Sequence, residues 1–149
     1  MPFNGLRWSR DSGSALYDTP QTAVFGRAGG VRSKLLRLIG LQIGNSYIGA
    51  DVLFDGIHPE LIKIGNDVTI TSGTKILTHF YDSSTGSYRI GSVNIGDGVF
   101  IGMNTLIINS VNIGNNAVIG AGSIVICDIP ANEIWAGNPA KYIKKRNIL

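Results

Sequence analysis

Cysteine and long apolar runs are scarce in this sequence, and each scarcity excludes a class of protein. A single cysteine among 149 residues, Cys127, rules out an internal disulfide framework and is what a reducing compartment permits. No apolar run approaches the length of a membrane span, and the amino end has none long enough for a signal peptide. We therefore expect a soluble cytoplasmic protein, and the length suits a single domain of residues 1–149.

Charge is unevenly distributed along the chain. Residues 1–40 hold six basic and two acidic side chains, residues 41–140 hold three and eight, and residues 141–149 hold four and none. The three segments thus carry +4, −5 and +4. An acidic middle argues against nucleic acid as a partner. The short basic ends could serve a small anionic ligand, although solvated lysines explain the charge equally well.

A six-residue repeat occupies much of the second half of the chain. From Ile95 the sequence runs IGDGVF, IGMNTL, IINSVN, IGNNAV, IGAGSI, VICDIP, with an aliphatic residue at every first position and glycine second in four units. The fifth position is mostly small or β-branched, which fits a tight interior strand. The fourth is Gly, Asn, Ser or Asp; of these, Gly, Asn and Asp tolerate positive φ best, so this column predicts a corner.

Strands this short, with a corner every six residues, predict a parallel β-helix. First-position side chains point inward and stack on their copies one coil later, about 4.8 Å away. Three units complete one coil. The same frame read backward gives IGNDVT, ITSGTK and ILTHFY from Ile64, but the following coil starts late, at Ile95. Residues 82–94 are therefore predicted to be a 13-residue loop outside the solenoid.

The chain before Ile64 is less regular. Residues from Ile43 onward have the composition of the repeat without its frame and are interpreted as an imperfect first coil. Before them, VRSKLLRLIG predicts a short helix that ends at Gly40 and covers the open end of the β-helix. The apolar face expected for this helix consists of Val31, Leu35, Leu38 and Ile39.

These elements divide the domain into three parts. Residues 1–40 form an N-terminal extension and capping helix, of which residues 1–25 are polar and expected to be partly extended. Residues 41–130 form the all-β solenoid, and residues 131–149 a basic C-terminal tail.

One of the two histidines stands where the repeat stops. His79 is the fourth residue of the last unit before the loop, which predicts an outward-facing corner. An exposed imidazole there could take a proton from a substrate hydroxyl, although corner geometry alone could also explain a histidine. Asp82 or a backbone carbonyl could orient the ring, and Tyr88 could stack on a sugar or anchor the loop. His58 is interpreted as a turn or packing histidine.

Four stretches of this sequence resemble the hexapeptide-repeat acyltransferase family, over roughly residues 30–146. They are FDGIHPELIKIGNDVTI, ILTH, IGDGVFIGMNTLI and VIGAGSIVICDIPANEIWAGNPAKYIKKR, and they look like the galactoside, maltose and polysaccharide O-acetyltransferase branch. The resemblance implies a left-handed parallel β-helix. It also implies a homotrimer with three active sites in clefts between subunits, where acetyl-CoA lies along the solenoid wall, and no metal.

The resemblance also implies the chemistry and the residues that carry it. The ILTH histidine, His79, acts as general base while an acceptor oxygen attacks the thioester, and a backbone N–H stabilises the oxyanion. The expected acceptor is a hydroxyl of a sugar or surface-glycan precursor. Pantetheine contacts map onto Met103, Ala121, Ile126 and Cys127, and phosphate contacts onto Lys141 and Lys144, with Lys145 and Arg146 in reserve.

One departure from the family pattern stands out. Relatives often carry Thr and Lys where this chain has Ile126 and Cys127, so a polar contact to the cofactor is expected to be missing.

Other functions remain as alternatives. Antibiotic acetylation, of a streptogramin or chloramphenicol, and serine O-acetylation use the same chemistry. Serine acetyltransferases, however, resemble a β-helix preceded by a larger helical domain, and only about 40 residues precede the solenoid in this sequence. The γ-type carbonic anhydrases hold zinc with three histidines, and this chain has two. A non-catalytic structural or ice-binding β-helix would show a flat threonine array and would not need the loop, the histidine or the basic tail.

Overall fold

Three sheets, parallel except for the terminal strand β16, form the walls of a β-helix. Strands are numbered β1 to β16 in chain order. The computed structural model describes residues 31–147, so the prediction for residues 1–25 lies outside the described range. Sheet A contains β1 Gln42–Ile43, β4 Ile62–Ile64, β9 Val93–Ile95 and β12 Val111–Ile113. Sheet B contains β2 Tyr47–Ile48, β5 Thr69–Ile70, β10 Phe100–Ile101, β13 Val118–Ile119, β15 Glu133–Ala136 and β16 Lys141–Lys145. Sheet C contains β3 Leu53–Phe54, β6 Lys75–Ile76, β11 Leu106–Ile107 and β14 Ile124–Val125.

The strand register confirms the repeat and its interruption. Phe100 pairs with Val118, 18 residues later, which is one coil of three hexapeptides. On its other side Phe100 pairs with Thr69, 31 residues earlier, which is one coil plus the 13 extra residues. The chain passes from sheet A to B to C within each coil, and we name the turns corner AB, corner BC and corner CA.

The core is the stack of inward-facing residues that the repeat predicts. The first-position residues Ile95, Ile101, Ile107, Ile113, Ile119 and Val125 are all buried. The fifth-position residues are buried too, including Thr105 and Ser123, whose hydroxyls donate to the carbonyls of Gly102 and Gly120. Each buried hydroxyl at corner BC therefore has a backbone acceptor, as a close-packed interior requires.

Residues of the fourth-position column adopt positive φ at two of the three predicted corners. Asp67, Asn104, Asn116, Gly73, Gly98 and Gly122 of the fourth-position column all adopt it, as expected. At corner CA the prediction is wrong, because Ser110, Asp128 and His79 do not have positive φ. Asn109, one residue before Ser110, adopts it instead. His79 instead opens a strand, so corner geometry does not explain the histidine.

A helix covers the open end of the solenoid, although with a different face from the predicted one. Helix α1, Val31–Leu38, ends at Gly40 in a Schellman motif, in which the Leu41 amide donates to the Leu36 carbonyl. Leu36 packs on the core, whereas Leu35, Leu38 and Ile39 are exposed.

Arginine side chains anchor this helix. Arg32 donates to the carbonyls of Gly49 and Val52, and Arg37 donates to the carbonyl of Ile43, so guanidinium groups satisfy carbonyls in the first coil. The first coil itself is complete, since β1, β2 and β3 pair with β4, β5 and β6. Helix α1 has eight residues, far fewer than a helix needs to cross a bilayer. Within residues 31–147 no helix is long and apolar enough to span a membrane.

The predicted loop and the predicted C-terminal tail both contain antiparallel hairpins. The segment predicted as a loop over residues 82–94 is a ribbon of β7 His79–Asp82 and β8 Ser87–Ile90, which therefore begins at the histidine. The predicted tail over residues 131–149 contains the hairpin β15–β16, turned by the cis peptide Asn138-Pro139 and added to sheet B. Trp135 of this hairpin packs against the core and contacts Tyr142 edge-on.

The second-position glycines give a stability prediction. A Cβ at Gly49 would lie 2.9 Å from the Ser72 amide nitrogen and 3.0 Å from the Ile70 carbonyl oxygen, both backbone atoms of the next coil. Gly49→Ala should therefore lower the free energy of unfolding by about 1–3 kcal/mol, as overpacking does. Denaturant unfolding measures this, with Gly56→Ala as the matched control because a Cβ there meets nothing within 4 Å. Equal stability of the two variants would contradict the close coil stacking.

Candidate active site

The centre of the site is a hydrogen bond between His79 and Asp55. His79 Nδ1 lies 2.5 Å from Asp55 Oδ2, with the imidazole side chain 34% exposed and the carboxylate side chain 1% exposed. Asp55 follows β3 and His79 opens β7, so two successive coils bring them together at corner CA. A buried carboxylate thus holds a partly exposed imidazole from behind.

The local fold makes Asp55 an ionised acceptor. Its Oδ1 accepts from the Ile57 amide, and its Oδ2 accepts from the Thr78 amide, the Thr78 hydroxyl and the His79 amide. Burial alone would raise the pKa of this carboxyl, but these hydrogen bonds lower it further than burial raises it, so the pKa lies well below its ordinary value. An ionised carboxylate can only accept, which puts the imidazole proton on Nδ1 and leaves Nε2 with its lone pair.

Asp55 is the residue of the candidate site that sequence reasoning missed. It lies 24 residues before His79, in the imperfect coil whose frame could not be extended. The signal available was an aspartate at the start of the stretch FDGIHPELIKIGNDVTI, directly after the apolar pair Leu53–Phe54. The pairing of Phe54 with Ile76 places this aspartate one coil below the segment that ends at His79, within hydrogen-bonding reach of the imidazole.

Asp82 does not orient the histidine, contrary to the expectation. Its carboxylate accepts from the Ser84 amide and hydroxyl and forms an ion pair with Arg89 at 2.7 Å. The Ser84 bonds, together with Arg89, lower the pKa of Asp82 to about 2. Asp82 therefore fixes the turn of the β7–β8 hairpin. Tyr88 is 74% exposed on β8, so it does not anchor a loop by burial.

The predicted pantetheine residues lie on two corners. Met103 and Ala121 are exposed and stacked at corner BC, where the Gly122 amide donates to the Met103 carbonyl. Ile126 and Cys127 are exposed at corner CA, the same corner as His79. The structure thus groups Ile126 and Cys127 with the histidine and sets Met103 and Ala121 on a separate edge of sheet C.

The predicted phosphate-binding residues fall into two groups. Lys141, Lys144 and Lys145 are exposed on β16 and free to meet an anion. Arg146 has another role, because it donates to the carbonyls of Gly98 and Asn116 and its amide donates to Asn132. Arg146 therefore ties the end of the hairpin to corner AB.

An open groove of about 620 Å³ lies away from this site. It runs along corner AB beside Gly44, Lys63 and Asp97, and no predicted site residue lines it. Within residues 31–147, no three His, Cys, Asp or Glu side chains converge as metal ligands. His58 pairs with Glu60 at 3.0 Å before a 3-10 helix, Pro59–Leu61, as a turn histidine does.

Comparisons with known proteins agree with this architecture. The family described as "Bacterial transferase hexapeptide (six repeats)" matches residues 92–127. Protein CapG of Staphylococcus aureus is 46% identical over 119 residues, covering 73% of this chain and 68% of CapG.

Two solved structures extend the likeness to the fold. A maltose O-acetyltransferase from Clostridium difficile 630 superposes with a TM-score of 0.62 at 27% identity, covering 91% of this chain and 80% of that one. A variant of AntD, an N-acyltransferase from Bacillus cereus in complex with dTDP and Coenzyme A, gives a TM-score of 0.66 at 27% identity, covering 72% of this chain and 64% of AntD.

The chain belongs to the hexapeptide-repeat acyltransferase family. The resemblance seen in its motifs is thereby confirmed, and so is the left-handed parallel β-helix that it implied.

Proposed function

We propose that this protein transfers an acetyl group from acetyl-CoA to a hydroxyl of a sugar or surface-glycan precursor, with His79 as the general base. The observation that carries the proposal is the buried, ionised Asp55 behind a partly exposed His79. The maltose O-acetyltransferase and the CoA-bound AntD variant support the acceptor class and the cofactor.

The chemistry follows from the geometry of the dyad. His79 Nε2 removes the proton of the acceptor hydroxyl while that oxygen bonds to the thioester carbonyl carbon. The carbon–sulfur bond then breaks, and the coenzyme A thiolate recovers the proton from the imidazolium. Asp55 stabilises the transient positive charge on the ring and prevents the ring from turning. The step needs no covalent enzyme intermediate.

We include a homotrimer in the proposal, because the candidate site of a single chain is exposed to solvent. His79 is partly exposed, and the groove at corner AB lies elsewhere. Apolar side chains on the outer walls, Leu53, Phe100, Met103 and Ile126, are exposed as well. A neighbouring copy would cover such side chains and close a cleft around the histidine.

An acceptor panel tests the proposed reaction. Thiol release from acetyl-CoA is measured with UDP-hexoses, UDP-N-acetylhexosamines, maltose, amino sugars, L-serine, a streptogramin and chloramphenicol, and the acetylated product is identified by mass. We expect turnover with a hydroxyl of a carbohydrate. Turnover confined to L-serine or an antibiotic would overturn the acceptor class, and acetylation of an amine would overturn O-acetyl transfer.

The lysines of β16 give a second prediction. We propose that Lys141 and Lys144 bind the phosphates of acetyl-CoA, since both are exposed and cationic. The double variant Lys141→Ala/Lys144→Ala should raise the KM for acetyl-CoA about tenfold and leave kcat unchanged, because one or two charge-assisted hydrogen bonds are lost.

Two controls make this prediction specific. Acetylpantetheine, which lacks the nucleotide phosphates, should show the same KM with both proteins, and Lys34→Ala on the exposed side of α1 should behave as wild type. An unchanged KM for acetyl-CoA in the double variant would remove the two lysines from the site.

A further inference from the structure

The face of the β7–β8 hairpin that carries His79 also carries two tyrosines. In the antiparallel register His79 pairs with Ile90 and Tyr81 pairs with Tyr88. Directly paired residues share a face, and so do residues two apart along one strand. His79, Tyr81, Tyr88 and Ile90 therefore lie on one face, while Phe80, Asp82, Ser87 and Arg89 lie on the other.

The two tyrosines form an exposed aromatic pair. Their ring centroids are 5.3 Å apart at an interplanar angle of 66°, with Tyr81 58% exposed and Tyr88 74% exposed. Neither phenolic hydroxyl has a hydrogen-bond partner among residues 31–147. Adjacent exposed aromatic rings are typical of binding surfaces, where tyrosine is enriched.

The hairpin holds this pair at a fixed distance from the base. On the opposite face, the Asp82 carboxylate accepts a hydrogen bond from the Ser84 hydroxyl in the turn and forms an ion pair with Arg89 on β8. These two interactions hold the strands of the hairpin together. A strand advances about 3.3–3.4 Å per residue, so the Tyr81 Cα, two residues along β7, lies about 7 Å from the His79 Cα. A ring resting on the tyrosines would bring its own substituents to the imidazole.

We infer that Tyr81 and Tyr88 form the acceptor platform, which selects a pyranose ring over a linear acceptor. This inference rests on the proposed function and names how the acceptor is chosen. The apolar C–H face of a pyranose stacks on an aromatic ring. A linear acceptor such as L-serine offers no ring face to the pair.

The kinetics of tyrosine variants test the platform. With the UDP-hexose, UDP-N-acetylhexosamine or maltose that wild type uses best, Tyr88→Ala should raise the acceptor KM about 5- to 10-fold, with the KM for acetyl-CoA unchanged. Tyr88→Phe keeps the ring and should remain within about twofold of wild type. Ser87→Ala, on the opposite face of the same hairpin, should not change either KM.

Each other result contradicts the inference in a distinguishable way. Carbohydrate turnover with an unchanged acceptor KM in Tyr88→Ala and Tyr81→Ala would overturn the platform and leave the proposed function intact. Absence of carbohydrate turnover in wild type would overturn both. A Tyr88→Ala protein whose mass by light scattering shows fewer copies than wild type would make this face an interface between copies of the chain instead.

Discussion

Replacing His79 by alanine should lower kcat for acetyl transfer by about 10²–10⁴-fold, the range expected when a general base is removed. His79 differs from His58 in its partner: the Asp55 carboxylate behind His79 is buried, whereas the Glu60 carboxylate beside His58 is exposed. Thiol release under saturating acetyl-CoA and acceptor measures kcat. Binding of coenzyme A should be unchanged, since the variant removes the base and not the cofactor contacts.

A second substitution separates proton transfer from architecture. His79→Asn retains an amide group that can donate to Asp55 in place of Nδ1–H, but it has no nitrogen where Nε2 stood. We expect His79→Asn to be as slow as His79→Ala. The matched control is His58→Ala, which removes the other histidine at an exposed turn and should turn over as wild type. If His79→Ala and His58→Ala are equally fast, His79 is not the base.

Asp55→Asn should lower kcat by about 10²-fold while the KM for acetyl-CoA stays near that of wild type. An asparagine keeps the shape of the side chain but is neutral, so the imidazolium formed during transfer loses its counter-charge. Asp55→Ala should be slower still and less stable. It leaves the buried Thr78 amide and hydroxyl without an acceptor, at a cost of about 1–3 kcal/mol per group.

The stability effect of Asp55 should depend on pH with a defined sign. The pKa of Asp55 is lower in the folded protein than its ordinary value of 3.8, because the bonds from Ile57, Thr78 and His79 lower the pKa by more than burial raises it. The stabilisation is therefore fully present above about pH 4 and is lost as the pH falls toward the folded-state pKa.

Unfolding experiments across pH check this sign. The difference in unfolding free energy between wild type and Asp55→Asn should shrink as the pH falls below about 4, where Asp55 of the unfolded chain is protonated. A difference that stays the same between about pH 4 and pH 2 would contradict an Asp55 that is ionised in the folded protein.

Much of the solenoid could be predicted because its physics is local and repeats. An inward residue every six positions must stack on its copy one coil later, so Ile95 to Val125 define both the frame and the 18-residue coil. The interruption was visible as a break in that frame. Its structure was not, because the segment from Asp82 reads as polar turn sequence, and only the pairing of His79 with Ile90 makes it a ribbon.

The helix face and the orienting carboxylate could not be predicted, for related physical reasons. Leu35, Leu38 and Ile39 look like a core-facing stripe, but the first coil presents free carbonyls that Arg32 and Arg37 bond. Likewise Asp82 is near His79 in sequence, whereas Asp55 is near it in space through a first coil that has no regular frame. Contacts between coils are non-local, and sequence distance does not report them where the repeat is irregular.

The most direct test of the account is a double-mutant cycle between Asp55 and His79. If Asp55 acts only through the histidine, adding Asp55→Asn to His79→Ala should change kcat by less than about threefold, because the carboxylate has no base left to orient. Losses that multiply, with the double variant slower than His79→Ala by the full factor of Asp55→Asn alone, would show that the two residues act independently and would contradict the dyad.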